Sequence, residues 1–166
     1  MSLKTTINVR LQTLLLGSLD NSTPEDRADY NLIDNLLSGT GVGQADVVFH
    51  DRRTLTGISA EELDLWSGGL VDPLGAAIKF AKVKLLMVRV RTVTTGTYLE
   101  IGGAGLNPFY SMFDAEDDMI NLGPGGLLLL YNPDGYAAGS SADKLRIGNT
   151  NGFSIEYDIF IVGTSA

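Results

Sequence analysis

Apolar and polar residues alternate along much of this chain, and the period is two. In FSIEYDIFIVGT, from Phe153 to Thr164, Phe153, Ile155, Tyr157, Ile159 and Ile161 fall on one side. Ser154, Glu156 and Asp158 fall on the other. That alternation predicts a β-strand with one buried face. Residues 5–16 carry the same signal, with Ile7, Val9 and Leu11 alternating with Thr6, Asn8, Arg10 and Gln12. Ala45–Leu55 and Glu62–Trp66 read as further strands. In Ala76–Val93, Leu86, Val88 and Val90 alternate with Met87, Arg89 and Arg91. The first part of that run, AAIKFAKVK, fits either a bulged strand or a helical turn. Tyr98–Ile101, Met119–Leu122, Leu127–Tyr131 and Leu145–Ile147 are shorter strand segments.

Turn chemistry separates these segments. SGTGVGQ, SGGLVDPLG, GGAGLNP, GPGG, NPDG and GSSAD supply the glycine, proline and asparagine that tight turns use. One stretch departs from the period. Pro24–Leu37 offers Ser22 or Thr23 as a cap, Pro24 at a first helical position and acids in a first turn. Its residues Tyr30, Ile33, Leu36 and Leu37 are spaced for a helix, and a strand over Tyr30–Leu37 is the alternative. About nine strands with turns at this spacing, and no βαβ alternation, predict an all-β fold. The expected architecture is an antiparallel β-sandwich, jelly-roll-like, with an N-terminal arm and at most one short helix. Residues 1–43 form the arm and its loop, and residues 44–166 the sandwich.

Size and composition agree with one packed domain. The chain has 166 residues, 44% of them hydrophobic and 19% charged, enough to build a core without covalent staples. Its 20 glycines suit short strands joined by turns. Net charge is −8, and each half of the chain carries −4, so the acidity is spread evenly. Nucleic-acid binding is disfavoured, because phosphate neutralisation needs clustered lysine and arginine. Cysteine is absent, which excludes disulfides, thiol nucleophiles and cysteine-ligated metals. The N-terminal MSLKTTINVRLQTLLLG does not read as a signal peptide, since Lys4 and Arg10 interrupt its apolar residues. No run approaches the roughly 20 apolar residues of a membrane helix, so no membrane partner is expected.

Candidate chemistry is sparse. His50 is the only histidine, too few for an imidazole-based metal site of cupin type. Asp51, Arg52 and Arg53 flank it, and no Gly-x-Ser-x-Gly elbow supports a Ser-His-Asp triad. Asp114, Glu116, Asp117 and Asp118 form the densest carboxylate group and a weak Ca²⁺ candidate. Their spacing is not that of an EF-hand, and a solvated acidic loop is the simpler reading. Glu61, Glu62, Glu100 and Glu156 could be paired for glycoside hydrolysis, as acids could in any chain with this many. Gly39–Gly43 has the glycines of a phosphate loop without the Lys-Ser/Thr that must follow. Trp66 with Tyr98, Tyr110, Tyr131 and Tyr136 could line a sugar platform, or serve as core and subunit contacts. Arg52, Arg53, Arg89 and Arg91 are expected to pair locally in so acidic a chain. No cofactor and no catalytic centre are expected.

From Gly43 onward, GQADVVFHDRRTL, ELDLWSGGLVDPLGAAIKFAKVKLLMV, GPGGLLLLYNPDGYA and DKLRIGNTNGFSIEYDIFIVGTSA resemble small β-rich virion structural proteins of tailed bacteriophages. The resemblance implies a capsid decoration, or cement, protein that binds the outer surface of the head. It implies assembly in the host bacterial cytoplasm, a homotrimer, and the major capsid protein or other virion proteins as partners. Such a protein works by shape and apolar contact. Ile7, Val9 and Leu11 of the arm, with Leu14 and Leu16, are the expected interface residues. Leu15 and Leu127–Leu130 are further candidates for subunit contact. The alternatives are a tail, neck, baseplate or receptor-binding virion protein, or a carbohydrate-binding β-sandwich module using Trp66 and the tyrosines.

Overall fold

The computed structural model describes residues 2–166, and no helix occurs among them. Two long strands come first, β1 (Thr5–Leu16) and β2 (Glu25–Ser38), followed by the short β3 (Gln44–Ala45). Next are β4 (Val47–Leu55), β5 (Ser59–Asp64), β6 (Leu70–Val71), β7 (Ala77–Ile78) and β8 (Lys82–Val90). The last five are β9 (Leu99–Gly102), β10 (Met119–Leu122), β11 (Leu127–Ala137), β12 (Lys144–Asn149) and β13 (Ile155–Thr164).

Eight strands make two four-stranded antiparallel sheets, ordered β4-β13-β8-β11 and β5-β12-β9-β10. Taken in chain order, the first, eighth, third and sixth of these strands form one sheet. The second, seventh, fourth and fifth form the other. This is the two-Greek-key connectivity of a jelly roll. Between the sheets lie Phe49, Leu63, Leu86, Val88, Leu99, Ile101, Ile147, Ile159 and Ile161, all buried. The period-two residues of β13 account for much of that core: Ile155, Tyr157, Ile159 and Ile161 are each fully enclosed. Tyr157 donates its hydroxyl to Glu61 of the opposite sheet, and the Arg53 guanidinium meets the other Glu61 oxygen. Burial, then the Glu61 carboxylate, pushes the Tyr157 phenol up, so it stays a neutral donor.

The first sheet is also apolar on its outer side. Leu85, Val162 and Ala45 make a second, smaller core with Ile7 and Leu36 from the first two strands. Those strands form a hairpin paired from Thr5–Leu36 to Leu16–Glu25. Pro24–Leu37 is therefore not a helix. Its backbone groups are taken by the ladder with β1, and Tyr30, Leu32 and Leu36 fall on one face while Ile33 and Leu37 fall on the other. AAIKFAKVK also stays extended: Ala77 and Ile78 pair with β6, and Phe80 turns into the core.

Two local features differ from a plain reading of turn residues. NPDG, at 132–135, is not the end of a strand. It is a bulge inside β11, where the register with β8 shifts between Tyr131 and Tyr136. Asn132 Oδ1 accepts the Asp134 N–H at 3.0 Å, and Gly135 takes φ 93°, so the chain kinks and then resumes pairing. At the end of β5, Leu65 and Trp66 leave the sheet, because the Asp64 carboxylate accepts the N–H groups of Trp66 at 3.1 Å and Ser67 at 2.8 Å. Lys144 donates to the same carboxylate at 2.7 Å. Burial pushes Asp64 up, but Lys144 and the two N–H donors outweigh it and hold the carboxyl at about 2.

Two expected outcomes follow from these contacts. A Cβ on Gly163 would lie 2.0 Å from the Lys82 carbonyl oxygen, within the β8–β13 bulge. Gly163→Ala therefore destabilises the protein by about 3 kcal/mol or more, read as a lower urea midpoint. Asp64→Asn costs about 2 kcal/mol at pH 7. Because the folded carboxyl sits below its unfolded value, that contribution is present above pH about 4. It fades as pH falls toward 2, so wild type and variant converge there in thermal melts across pH.

Candidate docking interface

The hairpin of β1 and β2 leaves the body. Opposed residues of an antiparallel pair share a side of the ribbon, so its register sorts the arm into two faces. Ile7, Val9, Leu11 and Leu15 share one with Leu36, Leu32, Tyr30 and Ala28. Asn8, Arg10, Gln12, Leu14 and Leu16 share the other with Ile33, Asn31, Asp29, Arg27 and Glu25. Charges on the second face satisfy one another. Arg10 pairs with Asp29 at 2.6 Å and Arg27 with Glu25 at 3.1 Å, both in open solvent.

The first face is continuous but changes surroundings along its length. Ile7 is 5% exposed, pressed with Leu36 onto Leu85 and Val162. Farther out, Leu11 is 61% exposed, Tyr30 60% and Leu15 70%. At a rise of about 3.4 Å per residue, the 12-residue β1 is about 40 Å long, and most of it stands clear of the sandwich. A two-stranded ribbon with an uncovered apolar face is marginal in water. Such a face marks a contact surface.

At its root the arm is pinned. Tyr131 of β11 donates its hydroxyl to Asp34 Oδ2 at 2.5 Å. Burial and the Asp34 carboxylate push the Tyr131 phenol up to about 12, while the same bond and the Asn35 N–H hold Asp34 below its ordinary range. The glycine loop after β2 completes the anchorage. Gly43 donates to the Pro133 carbonyl in the β11 bulge at 3.0 Å. The buried Lys84 ammonium donates to the Gly41 carbonyl. Gly39–Gly43 thus acts as a fastening between arm and body.

Between the arm root and the sheet lies an apolar cleft of about 300 Å³, walled by Ile7 and Val9 on one side and Leu85, Met87, Leu129, Phe160 and Val162 on the other. Leu129, Met87, Phe160 and His50 form one cross-strand row on the outer face. The His50 ring stacks on Phe160, with centroids 5.0 Å apart. Leu127, Arg89, Asp158 and Arg52 form the next row out. Arg52 and Arg91 both bind Asp158, at 2.7 and 3.1 Å, and Arg53 binds Glu61. Arg89 is exposed and, among the described residues, makes no ion pair.

The structure places the remaining sequence candidates apart. Among the described residues, no group of three or more acidic or histidine side chains is arranged to hold a metal ion. Asp114, Glu116, Asp117 and Asp118 lie in an exposed turn, where the Asp118 carboxylate accepts the N–H groups of Asp114 and Ala115 at 3.2 and 2.8 Å. Glu100 binds Arg146 and Glu156 binds Arg91, at 3.2 and 3.1 Å. Trp66 lines a shallow hollow with Lys79 and Ser140, and the Lys79 ammonium sits 4.7 Å over its ring. None of the four tyrosines lines that hollow. Of the arm residues named from sequence, Ile7 is spent on the chain's own body. Val9 and Leu11 continue its face outward, and Leu14 and Leu16 lie on the opposite face. Tyr30, Leu32 and Asp26 join the arm's first face only through the hairpin register, which no local pattern reveals. Compared with protein-family models, curated proteins and solved structures, the chain matches none.

The Tyr131–Asp34 bond sets a pH window for arm docking. Asp34 is depressed, so its contribution holds above the ordinary carboxylate range and is lost as pH falls through its lowered folded value. Tyr131 is raised, so its contribution holds below pH about 10 and is lost as pH rises toward 12. Tyr131→Phe removes the donor. Amide hydrogen exchange in residues 5–9 and 32–36 should then quicken about tenfold, with β12 and β13 unchanged.

Proposed function

We propose that this protein is a structural component of a tailed-bacteriophage virion, a decoration protein that binds the outer surface of the head and stabilises it. One observation carries the reading. A rigid jelly-roll body holds out a pinned hairpin whose apolar face begins in a buried core and continues uncovered into solvent. That design suits attachment to a neighbour. The paired arginines and carboxylates, the outward-facing His50 and the self-capped acidic turn all read as parts of a passive surface. The resemblance of residues from Gly43 onward to phage structural proteins supports the same role.

The mechanism is mechanical. Each copy adds buried apolar area across capsomer boundaries, at roughly 25 cal/mol per Å², and many copies together resist outward pressure from packaged DNA. Copy number separates this position from the tail or neck, since a head lattice takes hundreds of copies and a tail ring takes few.

Undecorated heads incubated with the purified protein should bind it to saturation at a fixed stoichiometry and withstand higher temperature before rupture. A Leu11→Asp, Tyr30→Asp double variant, which keeps the jelly roll intact, should bind at least about tenfold more weakly. Heads that take up no wild-type protein, measured by co-sedimentation, would sink the reading.

A further inference from the structure

The arm and the cleft complement each other, and their charges point to which molecule supplies the partner. Along the apolar face of the arm, from root to tip, the cross-strand rows are Val9–Leu32, Leu11–Tyr30, Thr13–Ala28 and Leu15–Asp26. The face is apolar apart from Thr13 until its last row, which ends in a carboxylate. Its other acid, Asp34, is already held by Tyr131. Asp26 makes no ion pair among the described residues, whereas its neighbours Arg27 and Glu25 bind each other.

The outer face of the β4-β13-β8-β11 sheet has the matching order. Beyond the arm root comes the apolar row Leu129–Met87–Phe160, with Phe160 38% exposed. The row after it contains Arg89. Arg89 faces Asp158 across the β8–β13 pair, but both Asp158 oxygens are occupied, one by Arg52 and one by Arg91. The sheet therefore presents an apolar strip followed by a cation without a partner. The arm presents an apolar strip ending in an anion without a partner.

We propose that a second copy of this chain occupies the cleft: the arm of one copy lays Leu11, Tyr30 and Leu15 on the Leu129–Met87–Phe160 row of the next, and its Asp26 pairs with Arg89. The arm cannot reach this position on its own body, because its root is fastened there with Ile7, Leu36 and the Tyr131–Asp34 bond. Each copy both gives an arm and receives one, so the contact joins two different patches and closes as an exchanged pair or a ring only where the rotation between copies allows it. The incoming face continues the apolar contact that Ile7 and Val9 begin within each chain. This deepens, and rests on, the reading of the arm as an assembly contact: the apolar face joins sister subunits, and loss of Leu11 and Tyr30 weakens head binding through loss of the assembled form.

Sedimentation equilibrium of the full-length protein, without any shell present, tests it. Wild type should self-associate. Arg89→Glu and Asp26→Arg should each raise the dissociation constant about tenfold or more. The Arg89→Glu, Asp26→Arg double variant, which restores the pair with its signs exchanged, should recover most of the loss. Both positions are exposed, so circular dichroism and melting of each variant should match wild type and exclude misfolding. A wild-type protein that stays monomeric at tens of micromolar overturns the inference. So does an oligomer indifferent to both reversals, or one that the double variant fails to restore. A monomer that binds heads through the arm would overturn it and leave the decoration role standing. A charge-dependent oligomer that ignores heads would support it and remove that role.

Discussion

Burial of β13 between β8 and β4 is the constraint on which the remaining structure depends. Its second half is apolar on both faces: Ile159 and Ile161 point into the sandwich, while Phe160 and Val162 point out of it. A strand like that needs cover twice. The second sheet supplies one cover, and the root of the arm supplies the other. Gly163 makes the arrangement possible at the strand's end, where the backbones approach too closely for any side chain.

The double cover explains why the arm exists in an ordered form at all. A free two-stranded ribbon barely holds together in water. Here Ile7 and Leu36 sink into the outer face, Tyr131 grips Asp34, and the glycine loop is tied to the β11 bulge and to Lys84. Rigidity at the root aligns the rest of the ribbon in advance, so any contact made there would cost less ordering entropy. The arm's edges are open along its outer part, which natural proteins tolerate only with charge or cover. Arg10, Asp29, Arg27 and Glu25 provide charge on one face. The other face lacks it until Asp26.

Electrostatics in this chain are almost wholly local. Arg52 and Arg91 converge on Asp158, Arg53 on Glu61, Arg146 on Glu100 and Lys144 on Asp64. An exposed pair such as Arg91–Glu156 adds little stability, whereas the half-buried Lys144–Asp64 pair adds more. Together the pairs occupy the arginines, which leaves Arg89 as the one arginine without an ion pair among the described residues. A jelly roll hosts many unrelated activities, so the fold alone assigns none. Its single histidine stacks on Phe160 at the outer face, and the Lys79 ammonium lies over the face of Trp66.

The amino-acid order by itself determined the fold class, because period-two burial is a local property of each strand. The runs 5–16, 119–122 and 153–164 carried it plainly, and glycine, proline and asparagine marked the breaks. It left Pro24–Leu37 open between helix and strand, since those side chains suit both until β1 supplies a ladder. It read NPDG as a turn, because only the neighbouring β8 shows that pairing resumes beyond it. Ile7 and Leu11 carry the same signal two turns of the pattern apart, yet one is buried and the other bare. Their difference comes from how far the body extends beneath the arm. Likewise, nothing along the chain distinguishes Arg89 from Arg91. Only the packed sheet, which gives Asp158 two oxygens and three arginine neighbours, leaves one of them without a partner.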